Sequence, residues 1–409
     1  MDPITTYLIK KFGKPRKSDL SIFSQLLQKL GDPHKGLRYI HIAGTNGKGS
    51  CCAMLSYLLQ QKWSRVGLFT SPHLKTLEER IVFNNKAISS SRLWEFIHHI
   101  ESKTNGLAPT YFEVITAAAF LFFAEEQVDW AVIETGLGGR YDITNIIDSD
   151  ISVLTNIGLE HQHELGNNLE DILHHKLGII KPRTVHFSHK FCQKKLADFH
   201  MHYCRDKSAR VFYTEPEALK FKKESEPELY FEYKGSPLYH LPLRGSFQKL
   251  NLLLVLHILE YLGIEFNPEL EQRWHEVTWA GRYEYFSWNN NQILLDGAHN
   301  IPAIKALIAS LKQDFPGMPY RFLFSQQQKK NWLEFLKELQ KNSDEIAYFE
   351  TPIARPLHAE SIAEAGNGTL ILSDKNAISD WLAEDYPGLT VICGSLFLVA
   401  YLKENAIVQ

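Results

Sequence analysis

Residues 44 to 50 read Gly44-Thr45-Asn46-Gly47-Lys48-Gly49-Ser50, a run whose residue types suit phosphate chemistry. Glycines in a turn between a strand and a helix let backbone N–H groups approach phosphate oxygens, and the helix N-terminus adds positive partial charge. Lys48 would reach the outer phosphates, and the Ser50 hydroxyl could bond a phosphate or Mg²⁺. The spacing departs from the common G-x-x-x-x-G-K-[ST] pattern. Ile42 stands where the first glycine would be, and Gly49 separates Lys48 from Ser50. A turn that only needs glycines is the bland reading, and the lysine between glycines argues against it. The loop predicts a bound nucleotide and names no reaction.

Two further side chains stand where chemistry is done. Glu134 ends the apolar run Trp130-Ala131-Val132-Ile133, and a parallel sheet presents functional groups at the C-terminal ends of its strands. A hydroxyl, a carboxylate and a phosphate make a reasonable shell for Mg²⁺, which prefers oxygen and keeps waters. His161 lies just past the next apolar run, in Gly158-Leu159-Glu160-His161. Imidazole is an unusual Mg²⁺ ligand, so chemistry alone gives His161 no such role.

The elements that must hold these groups alternate between strand-like runs and helical stretches, which predicts an α/β protein with largely parallel sheets. Strands are expected at 37–42, 65–70, 130–134 and 151–156, with helices near 49–61, 112–127 and 169–180. The stretch 208–243 alternates aromatic and charged residues, as in Leu229-Tyr230-Phe231-Glu232-Tyr233, and reads as antiparallel hairpins at the edge of the first domain. After a helix near 249–262 the pattern restarts, with strands at 293–296, 320–324, 346–349 and 389–393. The expected architecture is an N-terminal P-loop parallel-sheet domain with a small antiparallel edge, 1–282, and a smaller C-terminal Rossmann-like α/β domain, 283–409. The boundary falls within about ten residues of Gly281.

A formal charge of −3 gives no electrostatic reason to expect nucleic acid or an anionic membrane as partner. The N-terminus carries no signal-peptide pattern, and the apolar windows 117–124 and 250–256 are too short to cross a bilayer. Five scattered cysteines form no CxxC pair, which argues against a disulfide framework and a zinc site and for a reduced, cytoplasmic compartment.

The phosphate loop resembles that of the Mur ligase superfamily, and specifically of its folylpolyglutamate synthase/dihydrofolate synthase branch. Thr70-Ser71-Pro72-His73-Leu74 is similar to the branch's SPHL segment, and Thr110-Tyr111-Phe112-Glu113 to its TYFE segment. Glu134-Thr135-Gly136-Leu137-Gly138-Gly139-Arg140-Tyr141-Asp142 resembles E-x-G-L-G-G-R-x-D. Leu295-Asp296-Gly297-Ala298-His299-Asn300 resembles LDxAHN, and Gly394-Ser395-Leu396 completes a likeness running from residue 40 to the C-terminus.

That resemblance implies roles residue by residue. Ser71, Glu134 and His161 would hold Mg²⁺. Lys176, fifteen residues beyond His161, matches a lysine commonly carbamylated in relatives; a plain surface lysine is the alternative. Thr110, Tyr111, Phe112, Glu113, Arg140 and Asp142 would border a pterin pocket, although a lone Phe on a helix is more often core. Asn251, Arg282 and Asp296 would contact ATP beside the loop, and His299 and Ser395 the incoming glutamate. Three departures stand out: Glu160 where relatives have Asp, Ile301 between Asn300 and Pro302, and Ser325-Gln326-Gln327-Gln328-Lys329 in place of an acidic stretch.

The implied reaction is ATP-dependent ligation. A carboxylate is a poor acyl donor, so ATP would convert it to an acyl phosphate, which the glutamate amine attacks. No G-x-S-x-G nucleophile signature appears. Expected substrates are ATP, L-glutamate, dihydropteroate and reduced folates, handled by a monomer. The resemblance leaves open whether dihydropteroate is a substrate or only folate tails are extended. A peptidoglycan-type Mur ligase would carry a UDP-binding domain before the loop, and 43 residues precede Gly44 here. A non-catalytic nucleotide-binding scaffold would have little use for Lys48, Glu134, His161, Asp296 and His299 together.

Overall fold

The computed structural model describes residues 2–12, 20–222, 229–328, 330–343, 345–353, 355–365 and 368–408. Lys329, in one of the departures noted above, and residues 223–228 of the alternating stretch lie outside the described residues. The chain divides into two compact units. One comprises Met1–Phe221, Phe231–His240 and Leu250–Val277; the other comprises Lys222–Tyr230, Leu241–Lys249 and Thr278–Gln409.

The first unit holds an eight-stranded sheet. Its strands are β1 (Tyr39–Ala43), β2 (Val66–Phe69), β3 (Ile81–Phe83), β4 (Lys86–Ala87), β5 (Trp130–Glu134), β6 (Ile151–Leu154), β7 (Val185–Ser188) and β8 (Arg210–Tyr213), in the order β4-β3-β2-β5-β1-β6-β7-β8. β1, β2, β5 and β6 are buried along their whole lengths, because a parallel sheet is covered on both faces; hence their near-continuous apolar sequences. The pairings from β2 through β8 are parallel, so Ala43, Glu134 and Leu154 end at one edge of the sheet. The helix Lys48–Leu59 is buried almost all round. Tyr111–Glu125 starts on a capping box in which Thr110 and Glu113 satisfy each other's backbone N–H groups.

β3 and β4 pair antiparallel and extend the sheet beyond β2, an addition the sequence pattern did not predict. The turn between them is Asn84-Asn85, with φ of 45° and 63°, the left-handed pair that a two-residue hairpin requires. The expected antiparallel edge at 208–243 takes another form. β8 joins the large sheet in parallel, and β9 (Leu219–Lys222), β10 (Leu229–Tyr233) and β11 (Tyr239–Leu241) make a separate three-stranded sheet in the order β11-β10-β9. The strict in–out burial of β10 explains its alternating sequence.

The second unit contains β12 (Glu284–Trp288), β13 (Asn291–Leu295), β14 (Tyr320–Phe324), β15 (Glu345–Phe349), β16 (Leu370–Leu372) and β17 (Leu389–Cys393), ordered β12-β13-β17-β14-β15-β16. All pairings are parallel except the β12–β13 hairpin, whose turn Asn289-Asn290 again has both φ values positive. The core here gathers Leu294, Phe322, Phe324, Tyr348 and Val391. Among the described residues no helix is long and apolar enough to cross a membrane.

Candidate active site

The phosphate loop leaves β1 and is tied to the loop after β6. Thr45 N donates to Asn156 O at 3.0 Å, and Asn46 N to the Asn156 side-chain carbonyl at 2.9 Å. Thr45 Oγ1 receives Gly158 N at 2.9 Å. Gly47 caps the helix Lys48–Leu59 with φ 82°. A Cβ there would strike the Asn251 side chain, which places Asn251 against the loop. Lys48 Nζ donates to Gly44 O at 3.1 Å, so its cation lies over the anion cradle. Gly47→Ala is expected to weaken nucleotide binding at least about tenfold, through the left-handed backbone and the Asn251 clash. Calorimetric titration with a non-hydrolysable ATP analogue measures it.

Glu134 is 5% exposed, and its Oε2 accepts Ser71 N at 3.0 Å. A buried carboxylate beside a serine, at the end of the sheet that also ends in the phosphate loop, is an oxygen-rich donor set that fits a hard divalent cation. His161 sits in the left-handed region at φ 51°, a sparsely used conformation for a non-glycine residue. Its ring is flanked by Glu160 at 3.8 Å and Glu164 at 3.9 Å.

Lys176 is no surface lysine. It is 3% exposed in the last turn of the helix Leu169–Leu177. Burial pushes its pKa down to about 7; the Lys48 charge adds to that fall, and Glu160 opposes it. The helix is pressed against the loop 138–142. Arg140 N donates to His175 O at 2.7 Å, and Asn145 Nδ2 bridges Arg140 O and Gly178 O at 3.1 Å each. A Cβ on Gly139 would lie 2.9 Å from both His175 O and Lys176 O, and one on Gly178 would run into the Arg140 backbone. Only glycine lets the two segments approach so closely.

On the expected pterin side, the structure gives several residues local work. Thr110 and Glu113 form the capping box. The Asp142 carboxylate accepts Leu137 N at 2.7 Å and Thr144 N at 3.0 Å; burial raises its pKa and these bonds counter the rise. Arg140 meets the His174 ring. Tyr111 and Phe112 are half-buried, with Phe112 6.1 Å from Phe69, so Phe112 joins core packing while keeping a partly open face. Arg80, which the sequence reading passed over, is a buried cation. Its Nε donates to His73 Nδ1 at 3.0 Å, its guanidinium lies 5.7 Å over the Tyr111 ring, and it is within electrostatic reach of Glu134. Its place directly before the apolar run Ile81-Val82-Phe83 was the available signal.

In the second unit, β13 and β17 deliver their ends side by side. Asp296 is buried and accepts Tyr283 N at 2.9 Å and Ala298 N at 2.8 Å. Burial raises its pKa, and the Arg282 charge is the leading opposing influence. His299 Nδ1 faces Gly297 O at 2.8 Å, which makes Nδ1 the donor and Nε2 the acceptor nitrogen. Gly394 N donates to Ala298 O at 2.7 Å, bringing the strand end before Ser395 beside His299. Ser395 caps the helix Leu396–Glu404 by accepting Phe397 N.

The Mur ligase middle domain family matches residues 42–259. The dihydrofolate synthase/folylpolyglutamate synthase of Bacillus subtilis is 31% identical over 429 residues, covering 97% of this chain and 96% of the relative. The chain belongs to the dihydrofolate synthase/folylpolyglutamate synthase family. The folylpolyglutamate synthase structure from Thermotoga maritima superposes with a TM-score of 0.82 at 32% identity, covering 98% of this chain and 95% of that one. The bifunctional folylpolyglutamate synthase/dihydrofolate synthase of Yersinia pestis, complexed with AMPPNP and Mn ion, gives 0.84 at 26% identity and covers 98% and 97%.

Two departures from the family pattern now have physical accounts. Asn300 caps the helix Ile301–Asp314 through Ala303 N at 2.8 Å, and Pro302 falls in the first turn, where its missing N–H costs nothing. Ile301 packs partly against the second unit's core. Ser325 and Gln326 are buried and hydrogen-bonded, Ser325 to Thr351 at 2.7 Å, so these positions of the family's acidic stretch serve packing here.

Proposed function

We propose that this chain joins L-glutamate to dihydropteroate and to the γ-carboxyl of reduced folates, with ATP and Mg²⁺, through an acyl phosphate. It is an ATP-dependent ligase of the folate family. The observation that carries the reading is the edge of the eight-stranded sheet, where the phosphate loop, buried Glu134 with Ser71, and the low-pKa Lys176 are assembled. The bifunctional form is favoured by the Bacillus subtilis and Yersinia pestis relatives, whose names join both activities and which match nearly the whole chain. Extension of folate tails alone is the second reading.

The division of labour largely follows the chain: 1–282 for pterin and most of the ATP contacts, 283–409 for glutamate and one ATP contact. Loop N–H groups and Lys48 hold the phosphates of ATP and draw charge from the transferring phosphoryl group. Mg²⁺, held by Ser71, Glu134 and His161, would neutralise phosphate charge. Arg80 is a fixed cation that attracts the substrate carboxylate, and Tyr111 and Phe112 offer ring faces to the pterin. The carboxylate oxygen attacks the γ-phosphorus and ADP leaves. The glutamate amine then attacks the acyl carbon, phosphate departs and an amide remains. Asn251, Arg282 and Asp296 are assigned to ATP, His299 and Ser395 to glutamate. We place the protein in the cytoplasm as a monomer, consistent with five free cysteines.

Phosphate release with ATP, Mg²⁺ and glutamate, compared across dihydropteroate, tetrahydrofolate and no pterin, tests the reading. Release with both pterins and products heavier by one glutamate is expected. Release with tetrahydrofolate alone removes the first-glutamate activity, and no pterin-dependent release overturns the assignment. His299→Ala should raise the KM for glutamate roughly tenfold, through one lost charge-assisted hydrogen bond, with less effect on the KM for ATP. Equal increases in both would remove His299 from the glutamate site.

A further inference from the structure

Away from the residues assigned to catalysis, the first unit contains a cluster of His186, His200 and Cys204, all essentially inaccessible to solvent. His186 is on β7. His200 and Cys204 stand four apart on the helix Lys194–Asp206, one above the other on a single face. One donor atom from each lies within 4.8 Å of the others. His186 Nε2 is 3.1 Å from His200 Nε2, and Cys204 Sγ is 3.7 Å from the same nitrogen. Metal–ligand distances of about 2.05 Å to nitrogen and about 2.3 Å to sulfur put tetrahedral donors about 3.3 Å and about 3.6 Å apart. Those two spacings match a coordination shell, and the third pair, His186 and Cys204, lies within 4.8 Å.

The hydrogen bonds around the cluster sharpen the point. His186 Nδ1 meets Ser152 Oγ at 2.9 Å, and that hydroxyl has Val185 O as a second acceptor at 3.4 Å. His200 Nδ1 meets Tyr213 OH at 2.9 Å, while that hydroxyl donates to Met201 Sδ. With each hydroxyl donating to that second acceptor, its oxygen accepts from the histidine, the arrangement in which both imidazoles carry their proton on Nδ1. In that arrangement the two Nε2 lone pairs face each other at 3.1 Å. Burial disfavours an imidazolium that would place a proton between them. Outer nitrogens held by hydrogen-bond partners and inner nitrogens converging is the arrangement of metal-ligating histidines.

We infer that His186, His200 and Cys204 form a three-ligand site for a borderline-soft cation, Zn²⁺ foremost, with water as its fourth ligand. Two neutral imidazoles and a thiolate suit zinc and poorly suit Mg²⁺. On binding, the Cys204 S–H bond breaks, its proton leaves to water, and the sulfur bonds the metal. The ion would pin β7 to the helix Lys194–Asp206.

The test uses untagged full-length protein, stripped of metal and titrated with Zn²⁺ and Co²⁺. One equivalent of Co²⁺ is expected to bind with the intense visible bands of a tetrahedral site and a thiolate-to-cobalt charge-transfer band. That band should vanish in Cys204→Ser and survive in His161→Ala. Zn²⁺ affinity should fall about 100-fold or more in Cys204→Ser and His200→Asn. Absence of the charge-transfer band in the wild type overturns the site and leaves a hydrogen-bonded histidine pair, with no variant needed. Its loss in His161→Ala, or equal Zn²⁺ affinity in wild type and Cys204→Ser, does the same.

Discussion

Lys48→Ala is expected to lower kcat for pterin-dependent phosphate release by about 10³-fold, the scale on which one preformed donor to a developing charge contributes. Lys48 is the first residue of its helix, and its ammonium is held over the loop by Gly44 O. Removing the side chain leaves the loop backbone anchored by Asn156 and Gly158, so folding should survive and the loss should fall on phosphoryl transfer. Steady-state kinetics beside a thermal melt separates the two. A variant that keeps kcat within a few-fold would show that the loop binds nucleotide without acting on it. Lys48→Arg restores the charge but not the compact ammonium, and should recover little.

The second large effect concerns Lys176. A lysine whose pKa has fallen to about 7 is substantially neutral near neutral pH, and a neutral amine can attack CO₂. The new C–N bond gives a carbamate, and the amine proton passes to solvent. Activity in CO₂-depleted buffer should therefore fall and return on adding bicarbonate. The return should weaken as pH drops below about 7, where the ammonium form prevails. Lys176→Met should lose about 10- to 100-fold in kcat and show no response to bicarbonate. A ¹³C-bicarbonate NMR signal from a carbamate, absent in that variant, gives a direct readout; a bicarbonate-indifferent wild type would end the idea. The same pKa carries a stability signature. Between about 7 and the ordinary lysine value of 10.5 the unfolded chain holds a proton the folded one has lost. Lys176 therefore makes stability rise with pH across that window, and Lys176→Met flattens the rise.

How far the sequence foretold these groups depends on what kind of fact each one is. β1 and the helix Lys48–Leu59 were legible because elements covered on all sides leave continuous apolar runs around a glycine-rich turn. β3 and β4 were not, being three and two residues long, with an Asn-Asn turn and no glycine to announce the hairpin. The carboxylates of Glu113 and Asp142 were visible as acids. Their partners, backbone N–H groups of Thr110, Leu137 and Thr144, have no side-chain signature. Lys176 follows His174 and His175 in a polar stretch, and the loop that meets its backbone lies more than thirty positions earlier.

The close approach of segments 139–140 and 175–178, which Gly139 and Gly178 permit, reaches beyond this one molecule. Two segments touching backbone to backbone cannot drift independently during divergence. A side chain gained in one demands a compensating shift in the other, and that shift would carry Lys176 with it. A mutational library randomised at 136–142 alone should return few active clones outside the parental glycines. Randomising 175–179 alongside should recover some, with paired changes enriched among the survivors. New pterin preferences would then be reached by joint steps across the seam more readily than by single ones.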